Sequence, residues 1–193
     1  MRIADREMPP QHSKSEIYKI QGSSLAVTET VSGMSVALRT LLFTVLVPGG
    51  LAVAVPYVLL RSEGGASPVR NLSLLLIAVT MIVLGAGIYL ACAWDFTIIG
   101  KGTPAVWDPP KVFVSKGLYR YVRNPMYVGM VTLLTGESVL FRSMALLAVA
   151  AGAALIFHLF VVFYEEPKLR RTFGSSYEEY SSRVHRWRPR LPS

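Results

Sequence analysis

Four apolar segments constrain this chain more than anything else in it: Val36 to Leu60, Leu72 to Trp94, roughly Met126 to Leu140 and roughly Met144 to Tyr164. Crossing the hydrocarbon of a bilayer takes about 20 apolar residues in helical form. The first, second and fourth segments meet that length. The third is shorter and carries Glu137, so it reads as a tilted or shallow span, or as half of a tight hairpin with the fourth. Backbone polar groups inside lipid must be satisfied within their own segment, which makes such segments helices. The expected fold is an all-α membrane protein with about four transmembrane helices. A loop and a helical C-terminal tail gather at one end. A hydrophobic share of 52% agrees with that class rather than with an ordinary soluble domain.

A length of 193 residues suggests one domain. Residues 1–35 read as a polar N-terminal arm, because Arg2, Asp5, Arg6, Glu7 and Glu16 leave no apolar core for a secretory signal. Residues 36–193 read as a single membrane domain, with two scaffold spans over 36–94 and the chemistry over 95–193. The one cysteine, Cys92, excludes an internal disulfide.

The net charge of +8 is placed unevenly. With four spans, the N-terminal arm, the Asp95–Pro125 loop and the tail share one side, and that side holds most of the Lys and Arg. The opposite side keeps Arg61, Arg70 and Arg142. The positive-inside bias then puts both termini and the long loop in the cytosol. Membrane orientation accounts for the basic charge, so no nucleic-acid partner is expected.

The first span is interrupted by "VPGG" at Val47 to Gly50 and by Pro56, which predicts a kink. The second holds "GAG" at Gly85 to Gly87, small residues that let helices approach closely. The loop after Asp95 contains Pro104, Pro109, Pro110 and Pro125, which exclude one continuous helix. Its Trp107, Phe113, Tyr119 and Tyr121 need burial, so it is an ordered loop, and ordered loops on rigid scaffolds commonly carry sites. In the tail, Gly174 suits the end of a helix near Phe173, and Ser176 with Glu179 matches a capping box for a second short helix. This amphipathic tail is expected to lie on the membrane surface and fold back over the loop.

Several residues suit chemistry. Asn124-Pro125 reads as an N-cap followed by a first-turn proline. The N–H groups of such a terminus favour a carboxylate or phosphate, with Tyr127 beside it. Glu165 and Glu166 are adjacent carboxylates at the end of the fourth segment. They suit either a solvated helix end screened by Lys168, Arg170 and Arg171, or contacts to ribose hydroxyls or a cation. His158 lies two turns before Glu165, on one helical face, and an ionisable side chain at that depth usually faces the bundle interior. Glu137 is expected to reach the far interface beside Arg142. His12, His158 and His185 lie on separate elements, so no metal is expected.

In order, "KVFVSKGLYRYVRNPMYVG", "EEPKL", "FGSSYEEY" and "RWRPRL" resemble the isoprenylcysteine carboxyl methyltransferases, integral-membrane enzymes related to the phospholipid N-methyltransferases. The resemblance covers roughly the C-terminal half. It implies an S-adenosylmethionine pocket at the cytosolic membrane surface. It places the cofactor against the backbone of Lys111, Val112, Phe113 and Val114, with Tyr119, Asn124, Pro125, Met126, Tyr127 and Glu165 holding it. Gly117 would make the turn between them, and the tail would cover the pocket. The chain departs from many eukaryotic members at two positions. Asn124 stands where they carry histidine, and Val161 stands where they carry an arginine facing the substrate carboxylate.

The resemblance implies methyl transfer from S-adenosylmethionine to a lipid or lipophilic acceptor that enters from the bilayer, with carboxyl O-methylation of an isoprenylcysteine-like substrate as one case. His158 and Glu166 are the candidates for the substrate side. A phospholipid amine N-methyltransferase, a sterol-type reductase with a related membrane core, and a non-catalytic protein that keeps the fold are the alternatives. The expected location is the cytoplasmic membrane in a prokaryote or the endoplasmic reticulum in a eukaryote.

Overall fold

A computed structural model describes residues 36–65, 67–104 and 111–189. The N-terminal arm and Trp107 lie outside the described residues. Four apolar helices form the body: α1 Val36–Ser62, α2 Leu72–Ile98, α3 Pro125–Phe141 and α4 Met144–Phe173. A 3-10 turn, Gly117–Arg120, precedes α3, and a short helix α5, Ser175–Arg183, follows α4. No strand occurs among the described residues. Helices α1, α2 and α4 are long and apolar enough to cross a membrane.

The 17 residues of α3 rise ~25 Å, short of the ~30 Å hydrocarbon core. A tight link completes it: Arg142 adopts a left-handed conformation (φ 51°, ψ 34°). Ser143 then caps α4 by accepting from the Leu146 N–H at 3.2 Å. The third and fourth segments are thus a hairpin. The Ser143 hydroxyl donates to Glu63 at 2.8 Å, and the Val69 N–H donates to the Leu140 carbonyl at 2.7 Å. These bonds tie the far-end turns together.

Helices α2 and α3 run antiparallel with glycine at the seam. A Cβ at Gly85 would lie 2.5 Å from the Gly129 carbonyl, and one at Gly136 would lie 2.9 Å from the Ala78 carbonyl. Of the expected pair, Gly85 makes the close approach, whereas Gly87 faces open space. Close backbone packing is how helices associate in lipid, where burial gives no net drive.

Prolines Pro56 and Pro167 each follow a π turn, Gly50–Ala54 in α1 and Val161–Glu165 in α4. A helix-interior proline has no N–H to donate and its ring crowds the carbonyl four residues back. Widening the preceding turn by one residue accommodates it, and such turns often mark functional segments. The interruption expected in α1 is therefore a π turn within a helix that continues.

Two expected caps differ in the structure. Asn124 stands at the N-cap of α3, yet its side chain makes no capping bond. The Ser176–Glu179 capping box is also absent: α5 starts at Ser175 after Gly174, without a side-chain cap. Glu179 instead pairs with Arg183 at 2.8 Å. Gly174 does end α4, with φ 51° and ψ −128°.

Candidate functional site

The loop, the start of α3, the end of α4 and the tail enclose one cavity. Each wall has a local cause. Lys111 N–H donates to the Gly100 carbonyl at 2.9 Å, which pins the loop strand to the end of α2. Gly117 turns the chain with φ 60°, and a Cβ there would collide with the Asp95 carboxylate. This is the turn expected of Gly117. Beyond it Tyr119 is buried, its ring tilted against Phe96 at 5.5 Å.

The tail folds back over the loop. Tyr180 donates to the Tyr119 carbonyl at 2.6 Å, and the Phe113 ring packs edge-on to Tyr177 and Tyr180. The Arg123 N–H donates to the His185 carbonyl at 3.0 Å. Asn124 Nδ2 donates to the Arg186 carbonyl at 3.2 Å, so this side chain holds the tail instead of capping α3. Burial pushes the Tyr119, Tyr177 and Tyr180 hydroxyls up from the usual tyrosine range. They therefore keep their protons.

Glu166 is 4% exposed and is the charge hub of this end. Arg186 meets it through two bonds, 2.7 and 2.9 Å. Arg123 approaches at 3.2 Å and Arg170 at 3.9 Å. The hydrogen bond to Glu166 holds the Arg186 guanidinium above its usual range. Both Glu166 oxygens are therefore engaged by arginines, so the group braces the wall. Glu166, expected on the substrate side, thus lines the cavity with its oxygens held by arginines, and a carboxylate so held is a poor base.

Glu165 points elsewhere. Its Oε2 accepts from the Tyr127 hydroxyl at 3.0 Å. The Tyr127 ring stacks on Phe157 at 4.8 Å. A carboxylate and a phenol from two helices thus meet at the cavity wall, as the first turn of α3 and the end of α4 were expected to do.

The cavity measures about 1140 Å³, counting the solvent at its mouth, and its lining includes Val112, Phe113, Val114, Tyr119, Asn124, Met126, Tyr127, Glu165 and Glu166. Lys111, Gly117 and Pro125 do not line it. Lys111 is exposed, Gly117 supports the turn, and Pro125 is buried as the first residue of α3. His158 is a further correction. It is exposed on the flank of α4, and its Nδ1 accepts from Trp187 Nε1 at 3.1 Å. The π turn between His158 and Glu165 adds a residue, roughly 100° of rotation, so the shared face of a regular helix is lost.

Sequence reasoning missed a row on α4. Phe160, Tyr164, Lys168 and Thr172 all line the cavity. Phe160 stacks on Tyr164 at 5.0 Å, and Lys168 Nζ lies 5.5 Å from the Tyr164 ring centre. Their spacing of four was the available signal. Arg123 was also missed as a lining residue. Its Nε is buried without a hydrogen-bond partner among the described residues.

An all-helical body with three helices long and apolar enough to cross a membrane, and an aromatic, charge-bearing cavity at one end, defines the class: an integral-membrane protein. The family model for phospholipid methyltransferase matches residues 73–176, and the chain belongs to that family of integral-membrane methyltransferases. The match runs from the start of α2 into α5 and so contains the whole cavity except the last tail contacts. No curated protein matches the chain in sequence.

Proposed function

We propose that this protein transfers the methyl group of S-adenosylmethionine to the headgroup of a lipophilic acceptor at the cytosolic membrane face. The observation that carries this reading is the cavity itself. It offers an anion contact and a cation contact within one aromatic enclosure, beside helices that cross lipid. Family membership implies a methyltransferase.

The residues present fit the cofactor. The uncapped first turn of α3 leaves N–H groups for a carboxylate, and the partnerless Nε of Arg123 adds a donor there. Glu165 and Tyr127 offer acceptor and donor atoms for ribose or ammonium groups. Phe113, Tyr164 and Phe160 supply faces for a purine or a sulfonium.

When bound, S-adenosylmethionine supplies an electrophilic methyl: the acceptor heteroatom forms the new bond as the methyl–sulfur bond breaks, leaving a neutral thioether. The chain's own residues then need chiefly to orient and to exclude water. The tail, held by Arg186 and Asn124, walls one side of the cavity through Tyr177 and Tyr180. Neither His158 nor Glu166 is placed to act as a base.

One observation favours an amine acceptor over a carboxylate. Val161 is fully buried and forms no part of the cavity wall, so that position gives no cation to the acceptor. Glu165 would repel a carboxylate but can take the proton that an amine loses on methylation.

The basic loop and tail support a cytosolic position for this end, by the positive-inside bias. The test is methyl transfer from isotopically labelled S-adenosylmethionine to extracted membrane lipids, followed by chromatography of the lipid fraction. Label in an amine headgroup is expected. Cofactor binding without label in any lipid would overturn the acceptor reading.

A further inference from the structure

A second hollow opens on the flank of the α3–α4 hairpin. Val128 and Val131 of α3 form one wall, Ala154 and Phe157 of α4 the other, and Trp187 of the tail closes one end. It measures about 650 Å³, counting the space at its open side. Its wall is apolar. The nearby Thr132 hydroxyl is spent on the Val128 carbonyl at 2.8 Å.

Two features distinguish this hollow from other lipid-facing surface. First, Tyr127 lines both it and the main cavity. The stacked Tyr127–Phe157 pair, 4.8 Å between ring centres, is the partition between them. Second, Trp187 is fixed in place. Its indole N–H donates to His158 at 3.1 Å, while its neighbour Arg186 is held by Glu166 and Asn124. Tryptophan with a satisfied N–H and an apolar ring suits the depth where headgroup meets hydrocarbon.

We propose that this groove binds one hydrocarbon chain of the lipid acceptor, with Trp187 and His158 at its polar end and the Tyr127–Phe157 pair between the chain and the headgroup in the main cavity. The proposal rests on the methyl-transfer reading and adds to it where the chain of the acceptor lies. It also gives His158 a role. The imidazole, which accepts the Trp187 indole N–H through Nδ1, positions Trp187 and does not meet the reacting atoms.

The test uses full-length protein in membranes containing phosphatidylethanolamine with a diazirine in mid-chain. Irradiation and peptide mass spectrometry then map the adducts. Adducts concentrated on Val128, Val131, Ala154 and Phe157, over the exposed Leu76 and Val83 of α2, are expected. Ala154→Phe fills the groove and should reduce its adducts about tenfold. That factor equals ~1.4 kcal/mol. Val131→Phe serves if Ala154→Phe does not fold. Even labelling of all lipid-facing helices, or groove labelling that survives the filling variants, overturns the groove. Calorimetry with S-adenosylmethionine on the same preparation separates the two claims. Groove labelling without cofactor binding retains a lipid site and refutes methyl transfer, and cofactor binding without groove labelling refutes only the groove.

Discussion

Arg186 lies side-on to Glu166, with Nε 2.7 Å from Oε1 and Nη2 2.9 Å from Oε2. This paired geometry is the strong form of a guanidinium–carboxylate contact. It joins the tail to the end of α4, and Arg123 brings the segment before α3 to the same carboxylate. Three stretches far apart in sequence thus share one buried charge.

Glu166→Gln should release the tail. Removing one partner of a buried pair strands the other charge at a cost of about 3–5 kcal/mol, and the low end applies because the Arg186 side chain is 31% exposed. Brief trypsin treatment in detergent should cut at Arg183 or Arg186 much faster than in the parent. Equal protection of the tail would contradict the brace.

Asn124 separates two accounts of one residue. Aspartate is as good an N-cap as asparagine, but it cannot donate to the Arg186 carbonyl. Asn124→Asp would be harmless if Asn124 capped α3. The bond at 3.2 Å instead predicts a loss of about 1 kcal/mol, typical of one hydrogen bond. Thermal unfolding in detergent measures it, and an unchanged midpoint would favour the cap.

The α2–α3 seam should tolerate no side chain. Gly85→Val places a Cβ 2.5 Å from the Gly129 carbonyl and 2.6 Å from the Leu133 nitrogen, both backbone atoms that cannot yield. An overpacking cost of about 1–3 kcal/mol or more follows. Gly87→Ala meets nothing and should be neutral or slightly stabilising. The same unfolding assay compares the two, and equal effects would remove the seam from the account.

The helices were legible because apolar runs have few alternatives in lipid. The structure extends α2 to Ile98 and α4 to Phe173, beyond the apolar residues at Trp94 and Tyr164. The loop side of the cavity was legible through its motif, from Val112 to Tyr127. The α4 side was less so. Phe160 and Tyr164 were not among the expected site residues, since aromatic residues near a helix end are common at an interface. His158 was misplaced because a π turn adds a residue that periodicity does not count. The arginine cluster on Glu166 was illegible because two of its members, Arg123 and Arg186, come from distant segments, and only Arg170 is a helical neighbour.

Within the cavity, Glu165→Gln should weaken S-adenosylmethionine by about 1–3 kcal/mol, the range for hydrogen bonds to a charged group and for leaving a partner unsatisfied. Lys111→Ala should leave affinity unchanged, since Lys111 lies outside the cavity lining. Calorimetry on both variants distinguishes lining residues from their neighbours in sequence. Equal losses would return the cofactor contact to the loop strand.

The central claim is that the cavity between loop, α4 and tail holds S-adenosylmethionine. Titration calorimetry of the folded, detergent-purified protein tests it directly, with NADPH titrated separately. The account predicts saturable binding of S-adenosylmethionine at one site per chain and none of NADPH. Absence of S-adenosylmethionine binding in folded protein, or binding of NADPH in its place, would contradict it.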